Sequence, residues 1–511
     1  MQEDDETPQA KRLSRKDWLI VFGLLAVALA IRLFHLNYES LWFDELWTWK
    51  VANQPDLRTL MTTGLQEDVH LPSYFVIVYW FMKWFGDSET VIRMPSVIFS
   101  ALAAPALFLL GRRILNARVG LIAASLLILD YQSIHYGQEA RPYAMMLFLG
   151  IVTTYLWFEL IQASVIAGNK PSLGLVLGLW VTVAISCYTH YFSVILTLFQ
   201  FAFYFGIAVK NKRTPWLGMS MLVALGLIAI PWLPELRLQL KNLVNWIPQD
   251  TYLHTLFTHS DLTFTWSFWA PYVTLAQVAT ALPIAFMLAF LYRKGTTQLK
   301  EESSYEYGLG WVLFLAWLLP WLATETISVV YKPIYWPRYL LYCAPFAYLL
   351  FAQQLDRLRL KTDMKIAIPI LYMVAALAFL QTRWQVFTVS QRDDWRSVQS
   401  TMADQTPKDG ATALLAITER PGVEKYYQNR FSPNLTDTAE ITSPDQVSAA
   451  VDSILVKKPK YVWFFTGQYR GHEEAVKAAF KALQPYIAAT SPAIQDARKE
   501  DVAAILIQLR P

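Results

Sequence analysis

The chain has 511 residues, 55% of them hydrophobic and 15% aromatic, with mean hydropathy +0.29 and a net charge of +4. That apolar load excludes an ordinary soluble enzyme and predicts a polytopic membrane protein, and nothing in the small net charge points to a nucleic-acid partner. The two cysteines, Cys187 and Cys343, fall in apolar segments, without a disulfide framework or metal-ligand spacing.

Residues 1–16 are polar and charged and run straight into a full-length apolar span with no small-residue cleavage site, which reads as an uncleaved first helix. Eleven apolar runs are long enough to cross a bilayer: 18–36, 92–110, 119–134, 142–164, 172–189, 192–209, 216–234, 271–292, 308–328, 339–355 and 366–383. The segment 71–86 is apolar but short and rich in Trp, Tyr and Phe, so it is placed as a helix lying in the interface. Loop charge supports that choice. With 71–86 lying flat, the inner connections carry 18 Lys and Arg in 62 residues, and the outer ones 8 in 110. Positive charge belongs inside, so the N-terminus is expected in the cytoplasm and the C-terminus outside, most simply across a bacterial inner membrane. Residues 384–511 change character. Strand-length runs at Ala413–Ile417, Tyr461–Phe465 and Val502–Ile507 alternate with helical patterns at 393–404, 444–455 and 472–483. The fold class expected is therefore a polytopic α-helical membrane domain, 1–383, followed by an extracytoplasmic α/β domain, 384–511.

The chemistry-bearing residues collect on the predicted outer side. Trp42-Phe43-Asp44-Glu45 places two adjacent carboxylates just past the first span, where ionised acids beside hydrocarbon are costly. His70 begins the interfacial segment. Gln138, Glu139, Arg141 and Tyr143 fill the second outer connection, His190 and Tyr191 the third, His254 and His259 the long fourth, and Arg338 with Tyr339 the fifth. Each group alone has an ordinary structural explanation; their joint placement on one side carries the argument. The spans are nearly free of charge at mid-helix, with Asp130, Glu235 and Glu325 towards outer ends. A lipid-linked-sugar flippase or transporter needs polar groups along a path through the membrane, so a reaction centre open to the outer side is the preferred reading.

At these residues the chain resembles the GT-C glycosyltransferases, in the bacterial branch related to protein O-mannosyltransferases and to the aminoarabinose transferase of lipid A (glycosyltransferase family 39-like). The matching stretches are Ser40-Leu41-Trp42-Phe43-Asp44-Glu45, His70-Leu71-Pro72-Ser73-Tyr74, Arg93-Met94-Pro95-Ser96, Tyr136 to Tyr143, Tyr188-Thr189-His190-Tyr191 and Arg338-Tyr339-Leu340-Leu341. The chain departs from its relatives at His70-Leu71-Pro72, where two consecutive prolines are common.

The resemblance implies a polyprenyl-phosphate sugar donor, such as an undecaprenyl-phosphate hexose or pentose, and an acceptor glycan, lipid or protein on the outer side. Asp44 matches the family's catalytic aspartate and Glu45 its companion acid. Glu139 matches an acid that in some members helps position a metal or the donor phosphate. A divalent metal (Mg, Mn or Zn) stays open, with Glu139, His254 and His259 as candidate ligands. His70, Glu139, Arg141, Tyr143, His190, Tyr191, Arg338 and Tyr339 are the residues expected to hold the donor phosphate or substrate. An oligosaccharide transferase or ligase is the nearest alternative within the enzyme class.

Overall fold

The computed structural model describes residues 12–65, 70–241, 247, 249–252, 254–256, 258–259, 304–358, 360–384, 388, 392–435, 437–467, 472–495 and 502–510. The chain divides into two units. The first comprises Met1–Phe34, Met61–Ile77 and Arg93–Trp384; the second comprises His35–Leu60, Val78–Ile92 and Gln385–Pro511.

The first unit is helical, and helix coincides with ten of the eleven predicted spans. The eleventh, 271–292, lies outside the described residues. By length and hydropathy alone, five helices among the described residues are sufficient to cross a membrane: Glu89–Ile114, Tyr143–Ile166, Phe192–Lys210, Trp216–Arg237 and Gly308–Val330. The helix Pro72–Phe85 has 14 residues. At 1.5 Å per residue it reaches about 21 Å, short of a hydrocarbon core of about 30 Å.

Local chemistry sets the helix starts. Ser14 and Asp17 form a capping box at the first helix, Arg15–Leu33. Asn116 caps Ala117–Leu129, and Ser172 caps Leu173–Cys187. Small residues set one close approach. A Cβ on Gly120 would lie 2.4 Å from the Phe108 carbonyl oxygen, so only glycine lets Ala117–Leu129 pass so near Glu89–Ile114. Ion pairs of 2.9 Å (Arg112–Asp17) and 2.6 Å (Arg118–Asp356) tie helix ends on the side read as cytoplasmic. The core packs Trp317, Tyr342, Phe346 and Tyr348 against Leu107, Leu127 and Met146.

Two expected spans are not single straight helices. The segment 119–134 breaks at Asp130 into Ala117–Leu129 and Tyr131–Gly137, bent by 61°. Asp130 is extended rather than helical, and its carboxylate accepts the Ser133 backbone N–H at 2.7 Å, capping a new helix where the apolar pattern predicted continuity. The segment 339–355 begins as a 3₁₀ turn, Pro337–Cys343, and becomes α-helix only at Ala344–Arg357.

The second unit carries a mixed sheet. Its strands are β1 (Thr412–Thr418), β2 (Thr438–Ile441), β3 (Tyr461–Gly467), β4 (Ile487–Thr490), β5 (Ile494–Gln495) and β6 (Val502–Leu509). The order is β2-β1-β3-β6-β4, with β5 also on β6; β1 pairs β2 and β3 in parallel, and β6 runs antiparallel to β3 and β4. The three long strands and the helices Trp395–Gln405, Val447–Leu455 and Glu473–Leu483 match the α/β pattern read from sequence. The short β2, β4 and β5 and the helix Lys425–Phe431 lack a periodic signature, and the sequence pattern does not reveal them. Leu415, Ile417, Val462, Phe464 and Ile507 form the core with Ala475, Ala479 and Leu483.

Candidate functional site

The predicted site residues divide between the two units. In the first unit, four segments far apart in sequence converge. Arg141 donates from Nη2 to His70 Nε2 at 3.0 Å. The His70 ring meets the His190 ring at 5.5 Å, and His190 packs in turn on Tyr143 at 5.9 Å and Tyr339 at 5.1 Å. The Arg338 guanidinium lies over Tyr143 at 5.4 Å and over Tyr339 at 5.9 Å, within cation–π range. His70, Glu139, Arg141, Tyr143, His190 and Tyr339 are all buried, and Arg338 is half-buried. Tyr191 is turned to a neighbouring contact, its hydroxyl accepting from Trp232 Nε1 at 3.1 Å.

The backbone that presents this group is itself braced. The Ser96 hydroxyl donates to the Arg141 carbonyl at 3.1 Å, and Tyr74 shares a 2.7 Å hydrogen bond with Ser96. Gln138 donates to the carbonyls of Arg32 (2.9 Å) and Phe34 (2.7 Å). Arg32 carries no motif in the sequence, yet it anchors the bend. Fully buried, it donates to the Ile128 and Leu127 carbonyls (2.6 and 3.1 Å) and to Ser100 and Ser133 (3.1 Å each). Those two carbonyls belong to the last turn of the broken helix, which needs an outside donor. Gly137 closes this corner: a Cβ there would meet Ser100 Oγ at 2.6 Å.

In the second unit, Asp44 and Glu45 occupy the first turn of the helix Phe43–Ala52, where the positive end of the helix dipole favours carboxylates. Asp44 is half-buried; Glu45 is fully buried. Glu45 is not bare. Arg392, 6% exposed, bridges Glu45 Oε2 at 3.2 Å and Glu39 Oε2 at 3.3 Å. Further polar contacts hold the same loop. Ser40 donates to the Asp393 carbonyl at 2.9 Å, and Arg396 donates to the Asn37 and Tyr38 carbonyls at 3.2 Å. The Tyr427 hydroxyl accepts from the Leu41 N–H at 2.7 Å and donates to Glu89 at 2.9 Å. Burial, reinforced by the Glu89 charge, pushes the Tyr427 phenol up, so it stays protonated and keeps that donor role. Arg392 stands just before the helical pattern at 393–404 and carries no motif of its own. Its partner lies 347 residues away, and no local pattern signals such a pairing.

The three metal candidates have separate partners. Glu139 lies 3.6 Å from His135 Nε2. His254 pairs with Asp250, and the buried His259 donates to the Trp317 carbonyl at 2.9 Å. Among the described residues no group of three or more His, Cys, Asp or Glu is arranged to hold a metal ion, so the donor set does not fit one.

Residues 69–233 match the dolichyl-phosphate-mannose-protein mannosyltransferase family, about a third of the chain. No curated protein matches the chain in sequence. Among solved structures, ArnT from Cupriavidus metallidurans in the apo state superposes with TM-score 0.53 at 12% identity, covering 96% of this chain and 98% of that one. The same protein bound to undecaprenyl phosphate gives TM-score 0.51 at 12% identity over the same shares. At that identity the likeness carries the fold alone. The chain is an integral membrane protein with the fold seen in ArnT, and over residues 69–233 it is similar to the dolichyl-phosphate-mannose-protein mannosyltransferases.

Proposed function

We propose that this chain is a glycosyltransferase that moves a sugar from a polyprenyl-phosphate carrier to an acceptor hydroxyl on the outer side of the membrane. The observation that carries the reading is the convergence of Arg141, His70, His190, Tyr143, Tyr339 and Arg338 in one cationic, aromatic group within a GT-C fold. Guanidinium groups pair with phosphate oxygens bidentately, and the aromatic faces suit a ligand that is part lipid. The undecaprenyl phosphate bound by the Cupriavidus protein supports the same carrier class here.

The reaction is a single inverting displacement. The acceptor oxygen attacks the anomeric carbon, the bond from that carbon to the phosphate oxygen breaks, and polyprenyl phosphate leaves as an anion. Asp44 takes the acceptor's proton. Arg141 and Arg338 stabilise charge as it builds on the phosphate, so no strong general acid is required. Glu45, buried and ion-paired with Arg392, stands beside Asp44 as its companion acid. Because the candidate ligands do not gather, no step is routed through a metal. In this reading residues 1–383 form the membrane catalytic domain and 384–511 an extracytoplasmic α/β domain, with the acceptor a glycan, lipid or protein. The loop-charge imbalance supports a cytoplasmic N-terminus and a bacterial inner membrane.

The test is transfer from a panel of labelled polyprenyl-phosphate monosaccharides by the purified protein in liposomes, with membrane extract as acceptor. Transfer from one donor by the wild type, abolished by Asp44→Asn with folding intact, is the expected result. Full activity in that variant removes Asp44 from the mechanism, and no transfer from any donor removes the monosaccharide carrier.

A further inference from the structure

In the first unit a buried carboxylate is absorbed by none of these roles. Glu325 sits on the helix Ser304–Val330, towards the end read as outer, and is 2% exposed. An ionisable side chain at such a position is costly unless something uses it. Its Oε1 has no hydrogen-bond partner among the described residues, although the Thr255 hydroxyl faces the same carboxylate. Glu325 lines a cavity of about 160 Å³ within the first unit, together with Asp250, His254, Thr258, Tyr335 and Trp336.

Hydrogen bonds tie the walls together. The Ser328 hydroxyl accepts the backbone N–H groups of Ile334 and Tyr335, each at 3.1 Å, and donates to the Thr324 carbonyl at 2.9 Å. The Tyr335 hydroxyl donates to the Thr255 carbonyl at 3.1 Å and lies 3.0 Å from the Thr258 hydroxyl. Asp250 and His254 pair at the rim.

The chemistry narrows the occupant. At about 160 Å³ the cavity is of the scale of one small ring. A lipid tail would leave the buried acceptor oxygen unsatisfied, which is costly. A phosphate would face two carboxylates, Glu325 and Asp250, and be repelled. A ring bearing hydroxyl donors satisfies the carboxylate and stacks its apolar face on Tyr335 or Trp336. The chain also continues directly from this wall, through Trp336 and Pro337, to Arg338.

We infer that this cavity is the subsite for the sugar of the lipid-linked donor, with Glu325 accepting hydrogen bonds from its hydroxyls. The inference rests on the transferase reading above and adds to it the residues that select the sugar.

The experiment measures binding to the full-length protein in liposomes by quenching of tryptophan fluorescence. The probes are short-chain polyprenyl-phosphate hexoses and pentoses and the bare polyprenyl phosphate, with wild type, Glu325→Gln and Thr258→Val. The Glu325→Gln change keeps the side chain's volume but replaces one acceptor oxygen with a donor. The wild type is expected to prefer one glycosylated lipid over the bare phosphate. Glu325→Gln is expected to cut that preference at least tenfold while binding bare phosphate as before, and Thr258→Val to cut it less. Equal loss for both lipids, or no loss for either, overturns the subsite. Failure of the transferase reading is distinct, because it leaves the wild type without transfer from any donor, whereas failure of the subsite leaves sugar-dependent transfer intact and indifferent to Glu325→Gln.

Discussion

The two sets of predicted site residues are held in different ways. In the first unit, His70, Arg141, Tyr143, His190, Arg338 and Tyr339 meet one another through the Arg141–His70 contact and a web of ring contacts. In the second, the turn bearing Asp44 and Glu45 is held from outside, by Arg392, Arg396 and Tyr427. A group built from mutual ring packing loses a part when one member is removed. A turn built on a buried ion pair is strained when one member goes, because the surviving charge loses its ion-pair partner in a dry place. The acids are thus the more fragile half, and their integrity depends on residues that carry no catalytic chemistry.

The largest expected effect breaks the chemistry alone. Asp44→Asn removes a positioned base, typically worth about 10²–10⁴ in rate, and its thermal unfolding should match the wild type. Arg392→Ala tests the support. Removing the Arg392 charge from beside the buried Glu45 should cost about 3–5 kcal/mol, read as a lower unfolding midpoint. Arg392→Gln combined with Glu45→Gln removes both charges and should recover much of it; equal loss in the single and double variants would show that the pair does not couple the two segments.

A third contrast lies at the carboxyl end of β1, where Glu424 is buried with no hydrogen-bond partner for its carboxylate oxygens among the described residues. Burial, helped by the nearby Glu440 charge, pushes its carboxyl up to about 7. The folded state therefore binds a proton that the unfolded chain has already released, and stability falls as pH rises from the ordinary carboxylate range to about 7, then levels. Glu424→Gln should flatten that slope and raise the midpoint at about pH 8, measured by denaturation across pH; an unchanged slope would remove Glu424 as its source.

The smallest effect sharpens the other half of the comparison. Arg141→Lys keeps the charge but gives up the planar fork and the bond to His70, a charged hydrogen bond worth about 1.5–3 kcal/mol. Transfer should fall by one to two orders of magnitude with little change in unfolding. A fall in stability equal to that of Arg392→Ala would erase the distinction between the two regions.

How much of this was legible depended on the range of the interaction. Helix at ten of the predicted spans, and the three long strands of the second unit, follow from hydropathy and periodicity, which act over neighbouring residues. The break at Asp130 was not legible, since the apolar run continues past it and the carbonyls it frees are answered by Arg32, 96 positions earlier in the chain. His70, Arg141, Tyr143 and His190 could be named from their motifs, but not their contacts. The pairing of Glu45 with Arg392 and the cavity around Glu325 had no signal in either stretch alone.

The sequence by itself determined that this is a membrane protein and where most of its apolar helices run, and it offered residue types suited to chemistry, because burial in lipid is settled by the hydropathy of neighbouring residues. Only the tertiary structure decided which of those residues touch, which acid is ion-paired, and where a carboxylate is buried against an open cavity. Those outcomes depend on groups hundreds of positions apart meeting in a low-dielectric interior, where a few ångströms separate a compensated charge from a costly one.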